Sequence, residues 1–369
     1  MKRATIRDVA RLADVSLSTV SAVMNGKDIV SDDKKSRVLK VVSRLSYQPS
    51  LYASNLARHR TRVLGLIVSN LVNPFFAETA QAFEAEGRRH GYQVALLETR
   101  FSPARLRACV RQMLGMRVAG LAVLTSEFDE ESFALLKASD TSSVFLDVGA
   151  AGLHMGNIHV DTKSGMFDAV SHLVELGHRE ILFVRNSVKV EPEPSLLSHR
   201  FRNQGFSEAI RKYRSRGVKA AVVDVPGPGA QAGLKAIRKA LKTEHFTGVV
   251  AITDMVALGV YHGLTEAGLR IPQDVSVVGF DNTYLSEFMS PSMTTVDIPR
   301  ETLCKVAVEM LLEEGAHKRR GREVKVATHL VIRDSTAPPG AYKAARKLAP
   351  AAENADEHLT AEAAKPILS

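Results

Sequence analysis

Polar and aromatic side chains follow directly after several short apolar runs of this chain, and together they could hold a small ligand. If the runs are parallel strands, their carboxyl ends meet at one edge of a sheet, where ligands bind in open α/β proteins. Hydroxyl, amide and carboxyl groups beside two adjacent phenyl rings suit a small polar molecule that rests on an aromatic face, as sugars do. Each residue could instead cap a helix. The candidates are Asn70 to Phe76, Thr99, Arg100, Thr125, Ser126, Asp147, Thr253, Asp254 and Phe280 to Asn282.

The elements that position these residues are predicted by apolar runs that alternate with amphipathic segments. From Val63 onwards VLGLIV, QVALL and GLAVL are separated by PFFAETAQAFEAEGRRHG and PARLRACVRQML, which is a βαβ pattern. The pattern starts again near Ile158 with HV, ILFV, AAVVDV, GVVAI and VSVVGF. Gly91, Gly177 and Gly268 each stand just past a predicted helix, where glycine commonly ends it. We therefore expect an α/β core with two parallel sheets and helices on both faces of each.

The first 26 residues have the pattern of two short helices joined by a tight corner. Thr5 and Asp8 form a capping-box pattern, Asp14 tolerates the left-handed conformation of a corner, and Ser16 then caps the second helix. The inward positions of that helix are Val20, Val23 and Met24, and the positions left outside are Leu17, Ser18, Ser21, Ala22 and Asn25. This arrangement is typical of a helix-turn-helix, whose second helix enters the major groove of DNA. The alternative is an αα-corner in another kind of helical domain.

Charge favours the DNA-binding interpretation. Residues 1–62 contain thirteen Lys and Arg against five Asp and Glu, a net charge of +8, whereas the whole chain has a net charge of +9. Such an imbalance on a compact domain is the electrostatic footprint of a protein that contacts phosphates. Ser31 is expected to cap a third helix, with Val38, Val41, Val42 and Leu45 closing a small core. We therefore expect residues 1–48 to form a small all-α DNA-binding domain.

Residue composition and spacing also predict the character of two further segments. Residues 49–62 include LYASNLARHR, which has helical spacing but is shorter than the roughly 12 residues that an isolated helix needs. The segment is either a plain basic linker or a hinge that orders only against DNA and a partner copy, with Leu56 as an apolar wedge in the minor groove. Residues 340–369 are rich in Ala, Glu and Lys and contain Pro350 and Pro366, so we expect a disordered tail.

Composition and the lack of export and membrane-spanning segments narrow the class of protein. The chain has 369 residues, of which 45% are hydrophobic and 24% are charged, which is ordinary for a globular protein of two or three cores. No charged-then-apolar signal segment precedes Thr5, and no apolar run approaches the roughly 18 residues of a membrane span. We expect a soluble cytoplasmic protein with no membrane partner. Cys109 and Cys304 are far apart in the chain and are expected to be buried hydrophobic residues in a reducing compartment.

An enzyme is not expected. The chain lacks GxGxxG after a strand, a phosphate loop, GxSxG and HExxH, and PGPGAQAG at 226–233 has the wrong spacing. His154 with His159, or His172 with His178, could be proposed as metal pairs, but single histidines on α/β elements are more often surface or core residues. We therefore expect no cofactor and no metal.

The chain resembles the lactose and galactose repressor family of bacterial transcription regulators over roughly residues 4–339. The stretches that carry the resemblance are TIRDVARLADVSLSTVS, YQPSLYASNLAR, GLIVSNLVNPFFAE, HVDTKSG, HLVELGHREILFV, TDMVALG, IPQDVSVVGFDN, SPSMTTVDIP and HLVIRDSTAPP. The resemblance implies a homodimer that binds a near-palindromic operator. It also implies, for residues 63–339, a two-lobed core like that of periplasmic sugar-binding proteins, which closes on a small effector.

The resemblance also assigns residues to each partner. By position, Leu17, Ser18 and Ala22 would face bases, Leu56 would wedge the central base step, and Phe75, Arg200, Thr253 and Asp281 would line the effector cleft. The complete set expected at DNA is Thr5, Ser16, Leu17, Ser18, Thr19, Ser21, Ala22, Asn25, Ala53 and Leu56. The complete set expected at the effector is Asn73, Phe75, Phe76, Thr125, Arg200, Thr253, Asp254 and Asp281.

The chain departs from the family pattern at four positions. Ala22 stands where the family usually has Arg, Thr253 where it has Asn, Ser50 where Asn is frequent and Asp14 where Gly is frequent. Alanine cannot contact guanine with two hydrogen bonds, so the operator is expected to differ from the usual one. We expect a repressor gated by a sugar or sugar derivative. The alternatives are a nucleobase or nucleoside effector, a secreted sugar-binding protein, and an architectural DNA-binding protein without an effector.

Overall fold

The computed structural model describes residues 4–24, 29–47, 61–127, 129–146, 155–186, 197–225, 227, 229–313 and 322–340. Several sequence predictions fall outside these ranges and remain predictions. They concern Asn25, Ala53, Leu56, Asp147, His154 and the segment after residue 340. Within the described ranges, no helix has both the length and the apolar character that crossing a bilayer requires.

The N-terminal unit contains three helices, α1 Ile6–Leu12, α2 Leu17–Met24 and α3 Asp32–Arg44. The capping box is confirmed, since the Asp8 N–H donates to Thr5 Oγ1 at 3.4 Å and the Thr5 N–H donates to Asp8 Oδ2 at 2.9 Å. The left-handed corner is confirmed by Asp14, whose φ is 52°. The Thr19 N–H donates to Ser16 Oγ at 3.1 Å, so Ser16 caps α2 as predicted.

A small apolar core joins these three helices. Val9, Val20 and Val38, one from each helix, are fully buried at its centre. Val41, Val42 and Leu45 pack around them, as the sequence predicts. Ser31 stands at the N-cap of α3, but its side chain makes no capping hydrogen bond, so that part of the prediction is wrong.

The first α/β lobe has a six-stranded parallel sheet with helices on both faces. Leu64, Leu66 and Val68 point to one face and Ile67 to the other, which follows the two-residue period of a strand. The elements of this lobe are β1 Val63–Val68, α4 Pro74–Arg89, β2 Gln93–Glu98, α5 Pro103–Gly115, β3 Gly120–Leu124, α6 Glu130–Ala138, β4 Ser142–Leu146 and β5 Gly156–Val160, with α12 Arg300–Leu312 and β11 Glu323–Val326 returning to it later. The strand order is β11-β5-β4-β3-β1-β2.

The second lobe repeats the scheme. Its elements are α7 Thr162–Glu175, β6 Glu180–Asn186, α8 Leu197–Tyr213, β7 Lys219–Val225, α9 Ala230–Thr243, β8 Gly248–Ala251, α10 Asp254–Glu266, β9 Ser276–Asp281, α11 Tyr284–Phe288, β10 Thr294–Asp297 and β12 His329–Val331. The strand order is β12-β10-β9-β8-β6-β7. All its strand pairs are parallel except β10 with β12. Across both lobes, Gly91, Gly177 and Gly268 have φ of 75°, 106° and 72°, which confirms the predicted helix stops.

The two sheets confirm the predicted two-lobed α/β core, with one correction. The run HV near Ile158 was expected to open the second sheet, but it lies in β5, which pairs with β4 and β11 of the first sheet. The chain therefore passes between the lobes three times, after Val160, after Asp297 and after Val326. A long-range pairing decides which sheet takes a strand, and the local pattern of apolar residues does not report it.

Helices α9 and α10 pack so closely that their contact depends on glycine. A Cβ added to Gly259 would lie 1.9 Å from the Ala230 carbonyl oxygen, and one added to Gly233 would lie 2.0 Å from the Val256 carbonyl oxygen. A real Cβ cannot approach backbone oxygen this closely, so the helices would have to separate. This packing holds one face of the second sheet, where the core residues Val256 and Val260 are fully buried.

We expect Gly259→Ala to lower the free energy of unfolding by about 1–3 kcal/mol or more, because the added methyl group overpacks a backbone contact. Gly115→Ala is the matched control, since a Cβ at this helical glycine meets nothing within 4 Å. The control should be neutral or stabilising by up to about 1 kcal/mol, because alanine favours helix. Urea denaturation of the full chain measures both, and equal effects at the two positions would contradict the close-packing argument.

Candidate functional site

A cavity lies between the two lobes at the carboxyl ends of the strands. Its volume is about 160 Å³, many times the roughly 10–15 Å³ that one water molecule needs. The sequence predicted ligand residues at these strand ends, and most of the cavity wall comes from them. The lining residues are Asn70, Val72, Asn73, Phe75, Phe76, Phe101, Leu124, Thr125, Ser126, Leu146, His199, Arg202, Gly229, Thr253, Met255 and Asp281.

The aromatic part of the wall comes from the start of α4 and the segment that follows β2. Asn73 caps α4 by accepting the Phe75 N–H at 3.1 Å, so the predicted ligand residue also has a structural role. Phe75 and Phe76 follow in the first turn, both 6% exposed. Their ring planes cross at 68°, and those of Phe76 and Phe101 cross at 71°. Phe101 was not predicted; it reaches the cavity because Arg100 and Phe101 adopt φ of 54° and 58° after β2.

A buried hydrogen-bond network supports the hydroxyl groups of the first lobe. Glu127 is 4% exposed, and its carboxylate accepts hydrogen bonds from Ser69 Oγ at 2.8 Å and from Thr99 Oγ1. Ser69 Oγ in turn accepts the Ser126 N–H at 2.7 Å, and Thr125 Oγ1 donates to the Glu127 carbonyl at 3.1 Å. The network orients Thr125 and Ser126, which line the cavity. Thr99 was proposed as a ligand residue, but it lies behind the wall in this network.

The opposite wall carries a buried ion pair between Arg202 and Asp281. The Arg202 Nη2 lies 3.0 Å from Asp281 Oδ1, and the two side chains are 5% and 2% exposed. Arg202 Nη1 also donates to the Ile252 carbonyl at 2.7 Å, and its guanidinium stacks 3.9 Å above the Phe280 ring. Burial raises the pKa of the Asp281 carboxyl, and the positive charges of Arg202 and Arg300 oppose that shift. The wall therefore presents an acceptor and a donor side by side.

The predicted ligand residue Arg200 is not in the cavity wall. It is exposed, whereas His199 and Arg202 line the cavity. Residues two apart on a helix point in nearly opposite directions, while residues three or four apart share a face. Phe206, four residues after Arg202, is buried on that same face and stacks on Phe183. The spacing of Arg202 and Phe206 was the sequence signal that could have identified the correct arginine.

Asp254 is a second correction. It is 3% exposed and does not line the cavity, because its carboxylate is occupied by hydroxyl and amide donors. It accepts from the Thr283 N–H at 2.7 Å, from Thr283 Oγ1 at 3.1 Å and from Thr295 Oγ1 at 2.6 Å. Burial and the neighbouring Asp281 raise the pKa of this carboxyl. Asp254 therefore supports the turn that follows β9. Thr253 lines the cavity as predicted and also caps α10 through the Val256 N–H at 3.2 Å.

Helix α2 presents only part of the predicted outer face. Leu17 is 46% exposed, and Ser18 and Ser21 are also exposed. Ala22 was expected outside but is 8% exposed. Helix α2 contacts both α1 and α3, which widens its buried face, and a short methyl side chain does not extend past it. Thr5, Ser16 and Thr19 make local capping contacts, as does Ser18 through a 2.7 Å contact with Ser16 Oγ.

The histidines proposed as metal pairs bond to other groups where the structure describes them. His172 Nε2 lies 2.9 Å from Thr336 Oγ1. His178 Nε2 donates to the Ala337 carbonyl at 2.9 Å, so its Nδ1 accepts from Thr247 Oγ1 at 2.8 Å. No group of three metal-binding side chains occurs in the described ranges.

His199 gives the second lobe a pH-dependent stability. Burial, aided by the nearby charge of Arg202, lowers the pKa of His199 to about 3, and its Nδ1 is shielded with no hydrogen-bond partner. The folded state therefore binds fewer protons than the unfolded state below about pH 6.5, and the contribution of His199 to stability is lost as pH falls from about 6.5 towards 3.

We expect the free energy of unfolding to fall by about 1 kcal/mol more in the parent than in His199→Gln between pH 7.5 and pH 5.5. The two proteins are compared because Asp254, whose pKa is raised, changes the free energy of unfolding with pH in the opposite direction, and this contribution is common to both. His262→Gln is the control, since His262 is an exposed histidine on α10. Urea titrations at both pH values measure the effect, and identical pH dependence in the parent and His199→Gln would contradict it.

Comparison with known proteins agrees with this two-part architecture. The model of the lacI family of bacterial regulatory proteins matches residues 5–50, and that of the periplasmic binding protein-like domain matches residues 170–336. The HTH-type transcriptional repressor PurR of Mannheimia succiniciproducens is 33% identical over 335 residues, which cover 90% of this chain and 98% of that protein.

Two solved structures have the same fold. The Lac repressor dimer bound to operator and the anti-inducer ONPF has a TM-score of 0.78 at 26% identity, covering 91% of this chain and 100% of that chain. The complex of the transcriptional regulator CelR with cellobiose has a TM-score of 0.63 at 26% identity, covering 90% of this chain and 100% of that chain. The chain is therefore a member of the lacI family of bacterial regulatory proteins and is a DNA-binding repressor.

Proposed function

We propose that the operator affinity of this repressor is gated by a small polar effector, a sugar or sugar derivative, that binds in the cavity between the lobes. The observation that carries the proposal is the buried Arg202–Asp281 pair, which faces a cavity also lined by the aromatic and hydroxyl side chains of the other lobe. A ligand that contacts both walls favours the closed arrangement, and that preference is the free energy available to change DNA affinity.

The hydrogen-bonding groups of the cavity match a polyol. A sugar hydroxyl both donates and accepts, so it can donate to the Asp281 carboxylate and accept from the Arg202 guanidinium at once. Arg202 uses two of its five N–H groups on Ile252 and Asp281, and its Nε has no partner. Thr125 and Thr253 supply further hydroxyl groups on the two sides of the cavity.

The aromatic geometry also favours a sugar over a nucleobase. A flat base is held best between parallel faces, whereas the Phe76 ring is parallel to neither neighbour, since it crosses Phe75 at 68° and Phe101 at 71°. One phenyl face beneath an apolar patch of a sugar ring is compatible with that arrangement. The CelR relative binds cellobiose according to its structure. A nucleobase or nucleoside effector remains the second candidate, because the Asp281 and Arg202 pair also matches an amide edge with adjacent donor and acceptor.

At the other end of the chain we propose a homodimer that binds a near-palindromic operator. The division of the chain is proposed as residues 1–48 for the DNA-binding domain, 49–62 for the hinge, 63–339 for the effector-binding and dimerisation core, and 340–369 for the tail. Leu17 and Ser18, both exposed at the start of α2, are the described residues best placed to reach base edges. Leu56, proposed as a minor-groove wedge, lies outside the described residues.

The effector proposal predicts a ligand response that depends on Asp281. The test panel consists of D-ribose, D-glucose, cellobiose, guanine and hypoxanthine. At least one sugar of the panel should raise the melting temperature of the parent, because a ligand that binds only the folded state stabilises it. Asp281→Asn should weaken that sugar by about 1–3 kcal/mol, tenfold or more, since ligand donors lose a charged acceptor in a desolvated site.

Sugar affinity is measured by calorimetric titration, and Asp274→Asn is the matched control. Asp274 is an ion-paired carboxylate of the same lobe, bonded to Arg270, that does not line the cavity. Its replacement should leave sugar affinity unchanged. Stabilisation by guanine or hypoxanthine alone would favour the nucleobase alternative. Stabilisation by no member of the panel would contradict gating by these two ligand classes and favour an ungated DNA-binding protein.

The DNA-binding proposal predicts a specific role for Leu17. On DNA selected by the parent from a random library, Leu17→Ala should lower affinity severalfold while affinity for unrelated DNA stays the same, because base contacts carry the specificity. Leu39→Ala is the control, since Leu39 lies on α3 and is 48% exposed, close to the 46% of Leu17. Fluorescence anisotropy measures both variants, and equal losses on selected and unrelated DNA would show that Leu17 does not read bases.

A further inference from the structure

Arg300 holds the backbone that carries Asp281. It is the first residue of α12, at the second passage between the lobes, and its side chain is 15% exposed. Its Nη1 donates to the Asp281 carbonyl at 2.5 Å and its Nη2 donates to the Asn282 carbonyl at 2.7 Å. One guanidinium therefore binds two successive peptide oxygens at the end of β9.

Those two residues adopt a backbone conformation that side chains disfavour. Asp281 has φ of 117° and Asn282 has φ of 49°, and neither is glycine. Such conformations persist only where surrounding contacts enforce them, and they concentrate at functional sites. The conformation turns the chain sharply after β9, and the Asp281 side chain lines the cavity at this turn.

The contact that completes this arrangement comes from the other lobe. Glu78 lies on α4, the helix whose first turn contains Phe75. Its Oε2 is 3.2 Å from Arg300 Nη2, and its Oε1 accepts the Tyr284 N–H at 2.9 Å. Helix α12 packs on α4, so Arg300 and Glu78 both belong to the first lobe, while the turn that they hold belongs to the second.

We propose that Arg300 and Glu78 are positioning residues that couple the spacing of the two lobes to the orientation of Asp281. This inference rests on the proposed effector function of the cavity and extends it. When the first lobe moves relative to the second, Glu78 and Arg300 move with it, and the carbonyls of Asp281 and Asn282 follow. Because such coupling is reciprocal, an effector held by Asp281 favours the lobe spacing in which Arg300 is seated.

Part of the turn after β9 is held by bonds within the second lobe, so replacing Arg300 should disturb the structure only locally. The Thr283 N–H is bound by Asp254, and Asn282 Oδ1 accepts from Arg333 Nη2 at 2.9 Å. These bonds do not involve the first lobe and remain when Arg300 is replaced. The expected result of removing Arg300 is therefore a loosened turn in a folded protein.

The test compares Arg300→Met, Arg300→Lys and Glu78→Gln with the parent by hydrogen–deuterium exchange of the full chain without ligand. Arg300→Met should speed exchange of the amides of Asn282 and Tyr284 at least tenfold and leave the β8 amides unchanged. Arg300→Lys, which keeps the charge but cannot fork between two carbonyls, should give an intermediate rate. Arg238→Met is the control, since Arg238 makes an exposed two-bonded ion pair with Glu266 away from the cavity.

A second arm measures binding of the test panel to the same variants. Any panel member that binds the parent should bind Arg300→Met at least tenfold more weakly, Glu78→Gln severalfold more weakly, and Arg300→Lys between the parent and Arg300→Met. This rescue by lysine separates positioning from a general loss of stability.

The outcomes are distinguishable from those of the effector proposal. Unchanged exchange at Asn282 and Tyr284 in Arg300→Met would overturn the positioning role whether or not any panel member binds. Faster exchange with unchanged affinity would also overturn it, while the dependence of binding on Asp281 would still stand. If no panel member binds the parent, the proposed effector class fails, and the exchange arm alone decides whether Arg300 holds the turn.

Discussion

The second lobe of this protein depends on keeping two opposite charges buried. Arg202 and Asp281 would each carry a large desolvation penalty alone, so each requires the other, and breaking such a pair leaves an uncompensated charge. The pair also joins α8 to β9, and through the Ile252 carbonyl it holds the segment after β8. Neighbouring elements of the second lobe are thus held in register at the position where a ligand would enter. The residues that bury these charges together also form part of the cavity wall.

The two lobes build their shares of the cavity in a similar way. In the first lobe, Arg100 and Phe101 take left-handed conformations after β2, and in the second lobe Asp281 and Asn282 do so at the end of β9. Each turn sends the chain sharply away from its sheet, and Phe101 and Asp281 line the cavity at these turns. In each lobe a buried carboxylate that does not contact the cavity, Glu127 or Asp254, binds the hydroxyl and amide groups behind the wall. The hydrogen bonds behind the cavity wall compensate for the strained backbone of the residues that line the cavity.

Three chain passages between the lobes explain how a ligand could influence distant parts of the protein. The lobes share passages after Val160, Asp297 and Val326. The first and third passages are bonded to each other: Asp161 binds Lys325 at 2.6 Å, and Thr328 Oγ1 donates to the Asp161 carbonyl at 3.0 Å. In the proposed function, these crossings are the hinge whose equilibrium a ligand biases.

The sequence alone determined the local features of this protein. Helix caps at Thr5 and Ser16, the corner at Asp14, the glycine helix stops and most strands follow from one residue and its near neighbours, so their patterns are readable without a fold. The net charge of the first 62 residues and the helix-turn-helix pattern likewise identified the DNA-binding end. The position of the cavity at the strand ends was predictable because parallel strands share one polarity.

Tertiary structure decided the features that depend on which side of an element a residue occupies. Arg202 rather than Arg200 reaches the cavity because a shift of two residues reverses direction on a helix, and the correct phase was set by packing of Phe206 on Phe183. Asp281 lines the cavity while Asp254 does not, since Thr283 and Thr295 occupy the Asp254 carboxylate. Ala22 is buried because two helices flank α2, and β5 joins the first sheet through pairing with the distant β11. These outcomes depend on contacts between separate elements of the fold, and only the spacing of Arg202 and Phe206 left a local signal of the result.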